Sequence, residues 1–353
     1  MNIAEVDKRF AVETKIEREG LCFFHAEDKP FKIYGVFREG EKFRRIPEEV
    51  AKEVNPGVNL LHTNTAGGRI RFVTDSPFVA IKAKIVPTKR PHIALSGSCG
   101  FDMFYECKGG VRYGGTFMPP VDVEDWYESI REHGNGKQER VVTINFPLYC
   151  DVYEVYIGLE EGSVLMEAPA YETEKPVVFY GSSITQGGCA SKPGSSYQSI
   201  LSRKCNCNYI NLGFAGSGKA EDTIVEYIKK LDMSVFVMDY DYNSPSIEHL
   251  SATHNKMFKA IRAAQPNLPI IILPRPKYYL GDVEQKRHEL IYATYREAME
   301  QGDENVYFIS GKELMKLVED NGTVDLTHPS DSGFFSMATA IEPVLKKILS
   351  NVN

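Results

Sequence analysis

The sequence predicts an α/β protein in two parts. Residues 1–168 read as an N-terminal, jelly-roll-like β-sandwich, and residues 169–353 as a flavodoxin-like three-layer α/β/α domain built on a five-stranded parallel sheet. Three observations predict this. The 353 residues exceed what one hydrophobic core usually holds. From about residue 30 to 165, apolar and polar residues alternate with the period of half-buried strands. From Pro176 onward, short and wholly apolar runs alternate with amphipathic helical stretches, the rhythm of a parallel sheet covered on both faces.

In the first part the strand candidates include Arg69-Ile70-Arg71-Phe72-Val73, Val79 to Ile85 and Arg140 to Phe146. Glycine pairs punctuate them at Ala66-Gly67-Gly68 and Lys108-Gly109-Gly110, where a chain reversal needs a residue without a Cβ. Ile46 to Val54 reads as a short helix decorating the sandwich. The segment from Glu167 to Pro176 is charged, contains two prolines and reads as the linker. In the second part the expected strands are 177–180, 208–212, 234–239, 269–273 and 305–309. The expected helices lie near 195–205, 220–231, 246–264, 283–301, 311–319 and 332–349.

Composition narrows the function classes. A net charge of −7 argues against a nucleic-acid surface, and the pairs Arg44-Arg45 and Lys346-Lys347 read as solvated faces. The N-terminus has no apolar core of signal-peptide length, and no run is long enough to span a bilayer, so the expectation is a cytoplasmic protein with no membrane partner. Seven scattered cysteines fit a reducing compartment. Cys205-Asn206-Cys207 has no second pair at zinc spacing and reads as helix-end packing, so no metal is expected. His249 and His254, five residues apart, read as part of a solvated helix.

The chemistry is carried by four segments expected at the C-terminal ends of the parallel strands, where open α/β sheets bind ligands. They are Gly181-Ser182-Ser183, Asn211 to Gly216, Asp239 to Asn243, and Asp325-Leu326-Thr327-His328. Ser183 needs a base, which His328 supplies, and His328 needs a carboxylate to fix its tautomer, which Asp325 supplies. The backbone N–H groups of Ser183 and Gly216 and the side-chain amide of Asn243 are candidate donors to an oxyanion. Singly, each has a plainer reading: Ser183 as a helix N-cap, Gly216 as a turn glycine, Asn243 as an Asx turn, Asp325 and His328 as a surface pair. One site explains all of them together better than separate coincidences do.

The four segments resemble the four blocks of the SGNH (GDSL-type) hydrolase superfamily. Gly181-Ser182-Ser183-Ile184-Thr185 resembles the Gly-Asp-Ser-Ile-Thr block, Gly216 and Asn243 match the glycine and asparagine of the second and third blocks, and Asp325-x-x-His328 matches the last. Ser182 replaces the usual aspartate, as in the sandwich-bearing branch, and Tyr240-Asp241-Tyr242-Asn243 stands where Gly-x-Asn-Asp is usual. Gly100-Phe101-Asp102-Met103-Phe104 resembles the Gly-x-Asp-Leu-Tyr signature of the sandwich that precedes this domain in some members, a layout shared with carbohydrate acetylesterases. The resemblance implies a serine esterase removing small acyl groups, acetyl foremost, from a sugar or polyol, with no cofactor. Trp126, Tyr105 and Tyr242 are candidates for the substrate wall. Acyl transfer or a lipase or thioesterase activity on the same triad, and sugar binding without catalysis, are the alternatives; an oligomer is compatible with the sequence.

Overall fold

The computed structural model describes residues 12–107, 109–133 and 136–352. Residues 1–11, on which the reading of the N-terminus rests, and Lys108 of the Lys108-Gly109-Gly110 turn lie outside the described residues. The chain forms two compact units. One comprises residues up to Arg44, Thr63–Ala170 and Ser191–Gly194; the other comprises Arg45–His62, Tyr171–Ala190 and the chain from Ser195 onward.

The first unit holds twelve strands among its described residues: β1 (Leu21–His25), β2 (Lys32–Tyr34), β3 (Phe37–Glu39), β4 (Lys42–Arg44), β5 (Arg69–Thr74), β6 (Phe78–Val86), β7 (Phe101–Cys107), β8 (Gly110–Phe117), β9 (Trp126–Glu132), β10 (Arg140–Asn145), β11 (Asp151–Glu160) and β12 (Leu165–Met166). One sheet runs β1-β11-β6-β9 and the other β12-β5-β10-β7-β8, with β2 also on β5. Every pairing is antiparallel. One apolar cluster draws from both sheets, joining Val79, Ile81 and Ile157 of the first to Phe72, Met103 and Ile144 of the second. That is a sandwich. The alternation expected along β5 is present, but both of its faces are buried. Its outward Arg71 is covered because its guanidinium donates to the Pro169 carbonyl and to Glu106.

Asp102, the aspartate of the sandwich signature, is fully buried and ties distant segments together. Its Oδ1 accepts from Asn145 Nδ2 and its Oδ2 from the Gly194 N–H, both at 2.8 Å. Gly194 has no room for a side chain, since a Cβ would sit 2.3 Å from the Phe104 ring. Residues 191–194 therefore belong with the sandwich although they lie within the sequence of the second part.

The second unit contains α1 (Glu48–Val54), α2 (Pro56–Leu61), β13 (Thr173–Gly181), α3 (Ser183–Gln186), α4 (Tyr197–Cys205), β14 (Cys207–Gly213), α5 (Asp222–Ile228), β15 (Val235–Asp239), α6 (Ile247–Ala264), β16 (Ile270–Ile272), α7 (Asp282–Glu300), β17 (Val306–Phe308), α8 (Gly311–Leu314) and α9 (Asp331–Val352). The five strands are all parallel and ordered β14-β13-β15-β16-β17, the expected flavodoxin-like order. Val178, Tyr180, Phe236, Met238 and Ile272 face a core shared with α5, α6 and α7. Phe179 points to the opposite face, where its ring meets Tyr197 of α4, and Tyr197 in turn stacks on Phe334 of α9. Helices on both faces of one sheet make three layers. No helix among the described residues is long and apolar enough to cross a membrane.

The structure departs from the sequence reading at several places. The boundary is not a single cut at 168/169, because α1 and α2 do not decorate the sandwich. Their apolar residues Ala51, Val54, Val58 and Leu61 join the core of the parallel sheet. Arg44 and Arg45 are buried rather than solvated. The helix expected over 311–319 ends at Leu314, and a short 3-10 turn follows at Glu319–Gly322. His254 is not on a solvated face: it is buried, hydrogen-bonded to Thr294 Oγ1 at 2.8 Å and stacked on Tyr240. Burial pushes its pKa down to about 4.

Candidate active site

The site forms where β13 ends. Ser182 leaves the strand in an extended conformation and caps α3, its Oγ accepting from the Ile184 N–H at 3.1 Å while its own N–H donates to Thr185 Oγ1. This reciprocal capping box makes Ser182 the N-cap rather than Ser183. Ser183 becomes the first helical residue, and its side chain is left for other work. Gly181 is required here because a Cβ would lie 2.0 Å from the Asp239 carbonyl oxygen and 2.1 Å from Thr185 Oγ1. Gly181→Ala should therefore destabilise the fold by about 3 kcal/mol, to be read from chemical denaturation. An unchanged midpoint would mean that the strand end yields easily.

Ser183 Oγ stands 2.8 Å from His328 Nε2, and His328 Nδ1 stands 2.8 Å from Asp325 Oδ2. The other carboxylate oxygen, Oδ1, accepts from the backbone N–H groups of His328 at 2.8 Å and Thr327 at 3.1 Å. The loop is wound tightly enough for this by Leu326, whose φ of 64° is left-handed. Burial alone would raise the Asp325 carboxyl, but the N–H donors and the adjacent imidazole outweigh it and hold the group below its ordinary 3.8. The thiol of nearby Cys189 is pushed up to about 11, by burial first and then by the charge of Asp325. It stays protonated at neutral pH.

The loop after β14 is fastened to the turn that carries Ser183. The Phe214 N–H donates to the Gly181 carbonyl at 3.0 Å and the Ala215 N–H to Gln186 Oε1 at 3.0 Å. Gly216 has a φ of 70°, in the left-handed region that favours glycine, and an added Cβ would meet no protein atom within 4 Å. Its role is thus conformational, with open space in front of it, and its N–H has no partner among the described residues. Asn243 closes the short turn after β15. Its Nδ2 donates to the Phe214 carbonyl at 2.7 Å, which leaves the second hydrogen of that amide. The structure therefore brings the His328–Asp325 pair, from the loop before α9, onto Ser183, and sets Gly216 and Asn243 on the loops after β14 and β15, the two neighbours of β13. Such an arrangement can deliver a serine oxygen to a carbonyl, accept its proton and face the resulting oxyanion with donors.

Tyr242 lies in the same turn as Asn243, its ring 4.4 Å beneath the Arg275 guanidinium and its hydroxyl pushed up to about 12 by burial. Tyr105 and Trp126 belong to the first unit. Tyr105 packs against the sandwich core, edge-on to His133 and near Arg140. Trp126 is 40% exposed and walls an open cleft of about 810 Å³ with Lys82, Glu128 and Tyr156.

The model of the GDSL-like lipase/acylhydrolase family matches residues 174–346, and that for the N-terminus of SGNH-hydrolase-type esterases matches residues 21–165. The chain is a two-domain SGNH (GDSL-type) hydrolase. Its enzyme class is accordingly that of an esterase. No curated protein sequence matches this hydrolase. Among solved structures, a protein described as a GDSL-like lipase from Bacteroides ovatus is 27% identical with a TM-score of 0.83, over 94% of this chain and 98% of that one. The salicylyl-acyltransferase SsfX3 of a tetracycline biosynthetic pathway is 19% identical with a TM-score of 0.72, over 94% and 98%. A family two carbohydrate esterase from Clostridium thermocellum, solved in complex with cellohexaose, is 14% identical with a TM-score of 0.62, over 91% and 99%. At these last two identities the likeness is one of fold.

Sequence reasoning missed two supports of the hydrolase site. Arg45 donates to the carbonyls of Asn211, Gly213 and Leu61, and its guanidinium lies 4.6 Å from the Phe214 ring centre, bracing the end of β14. Asn55 caps α2 and donates to the Ser217 carbonyl at 2.9 Å, holding the Gly216 loop from the other side. The only signal for either was a basic pair, and an asparagine before Pro56 at a helix start.

Proposed function

We propose that this hydrolase removes short acyl groups, acetyl foremost, from hydroxyl groups of a carbohydrate. Ser183 Oγ attacks the ester carbonyl while His328 Nε2 takes its proton. Asp325 holds the imidazole in the tautomer whose Nε2 is a free base, and stabilises the imidazolium that forms. The oxyanion is met by the N–H groups of Ser183 and Gly216 and by Asn243 Nδ2. His328 then gives its proton to the departing alkoxide. Water, deprotonated by the same imidazole, cleaves the acyl-enzyme and regenerates Ser183.

The observation that carries this reading is the unbroken Ser183–His328–Asp325 chain, with both links at 2.8 Å. The choice of sugar is supported by the carbohydrate esterase of the same fold. The test is a panel of p-nitrophenyl esters of increasing chain length beside peracetylated sugars, with acetate release and serine labelling by a fluorophosphonate measured in parallel. Short chains should be preferred, acetylated sugars should be deacetylated, and the label should sit on Ser183. An unlabelled, inactive but folded protein that still binds sugar would replace the reading with non-catalytic binding. Transfer to an added alcohol in preference to water would make it an acyltransferase.

A further inference from the structure

The turn that carries Asn243 is gripped by more charge than its size requires. Asp241, nearly inaccessible to solvent, accepts at Oδ1 from Arg287 Nε at 2.7 Å and from Arg275 Nη2 at 3.3 Å. Its Oδ2 accepts from the backbone N–H and the Nε of Arg275, both at 3.0 Å. Arg287 Nη2 reaches past the carboxylate to the backbone carbonyls of Asp241 at 2.6 Å and Ser244 at 3.0 Å, the two residues that bracket Asn243. Arg275 also covers the Tyr242 ring. The turn is already closed by its own backbone, with the Asn243 N–H donating to Tyr240 and the Ser244 N–H to Asp241.

Buried ion pairs are a poor means of gaining stability, because desolvation offsets much of the attraction and apolar replacements often serve as well. What such a network does provide is a single geometry, since a planar guanidinium donates in fixed directions. Asn243 is where that geometry matters, because its amide is the one oxyanion donor that does not come from the backbone. We propose that Arg275 and Arg287, acting through Asp241, are positioning residues that hold the Asn243 amide at the distance and angle the oxyanion requires. The inference rests on the role given to Asn243 above.

The test is a double-mutant cycle between Arg287→Lys and Asn243→Ala, read by steady-state kinetics on a p-nitrophenyl acetate substrate. Lysine keeps the positive charge but cannot span Asp241 and both carbonyls. Asn243→Ala should lower kcat about 100-fold, the usual loss for one oxyanion donor. Arg287→Lys should lower kcat about tenfold with KM within about twofold, because a misplaced donor weakens the transition state and not the bound ester. In the Asn243→Ala background the same substitution should cost less than about twofold. Equal losses in the two backgrounds, no loss in folded Arg287→Lys, or no loss in Asn243→Ala would each overturn the proposal. Should Arg287→Lys fail to fold, Arg275→Lys enters the same cycle. Hydrolysis that survives Ser183→Ala would sink the reading of the whole site, whereas additive losses with Ser183→Ala inactive would sink the clamp alone.

Discussion

Ser183→Ala should lower kcat for ester hydrolysis by about 10⁵-fold or more, with the fold intact. The serine side chain makes the 2.8 Å link to His328, while the capping of α3 belongs to Ser182 and Thr185. Removing Oγ therefore deletes the proposed nucleophile without uncapping the helix. His328→Ala should cost as much, and the double variant Ser183→Ala/His328→Ala no more than either, because the two act as one unit. Asp325→Asn should cost less than either. It removes the charge that favours the imidazolium and alters the tautomer, but leaves an acceptor for the backbone N–H groups of Thr327 and His328. Active-site titration and circular dichroism on each purified variant check this. A folded Ser183→Ala variant with a tenth or more of the parent rate would remove Ser183 from the mechanism.

The parallel sheet and the place of Ser183 at the end of its first strand were legible because each rests on local pattern. Continuous apolar runs such as Val235 to Met238, short and rich in β-branched and aromatic residues, read as strands covered on both faces, and the residues after them fall at strand ends by counting. The partition of the chain was less legible. The apolar spacing of Ala51, Val54, Val58 and Leu61 tells which face of α1 and α2 is buried but not against what. The partner, here the parallel sheet, is decided by contacts more than a hundred residues away. The same holds for Gly194, whose attachment to Asp102 has no local signature. Buried charge was the least visible. Arg45, Arg275 and Arg287 look in sequence like any surface arginine. Only the folded chain brings the carbonyls and the carboxylate that satisfy them to their guanidinium groups. His254 was misread for a related reason. A histidine in an amphipathic helix lies on either face with little difference in pattern, and Thr294, which completes its hydrogen bonding, belongs to α7.

Asp239→Asn should make the second unit more stable relative to the parent as pH rises, by roughly 4 kcal/mol between about pH 4 and about pH 8. Asp239 ends β15 against the turn that carries Ser183, and its Oδ2 accepts from Thr185 Oγ1 at 2.9 Å and Tyr197 OH at 2.8 Å. Burial raises its pKa from 3.8 to about 7, two hydrogen bonds oppose the rise, and the neighbouring Asp241 adds to it. A carboxyl whose folded pKa is raised keeps a proton that the unfolded chain has already lost. Stability then falls as pH climbs from the unfolded value through the folded one. His254 runs the other way: neutral in the fold down to about pH 4, it is protonated in the unfolded chain below 6.5, so its contribution rises with pH over that window. In the parent the two slopes largely cancel between about pH 4 and 6.5. The amide introduced by Asp239→Asn does not titrate, so the variant keeps the rising slope of His254, to which His288, also held low by burial, adds, and escapes the further loss toward pH 7. Urea denaturation of parent and variant across this range measures the difference. It must be followed by the helical far-UV signal, because the single tryptophan, Trp126, lies in the sandwich unit and does not report on the parallel sheet. A parent-to-variant difference that stays constant with pH would show that Asp239 is ionised throughout, and that Thr185 and Tyr197 stabilise its charge more strongly than burial opposes it.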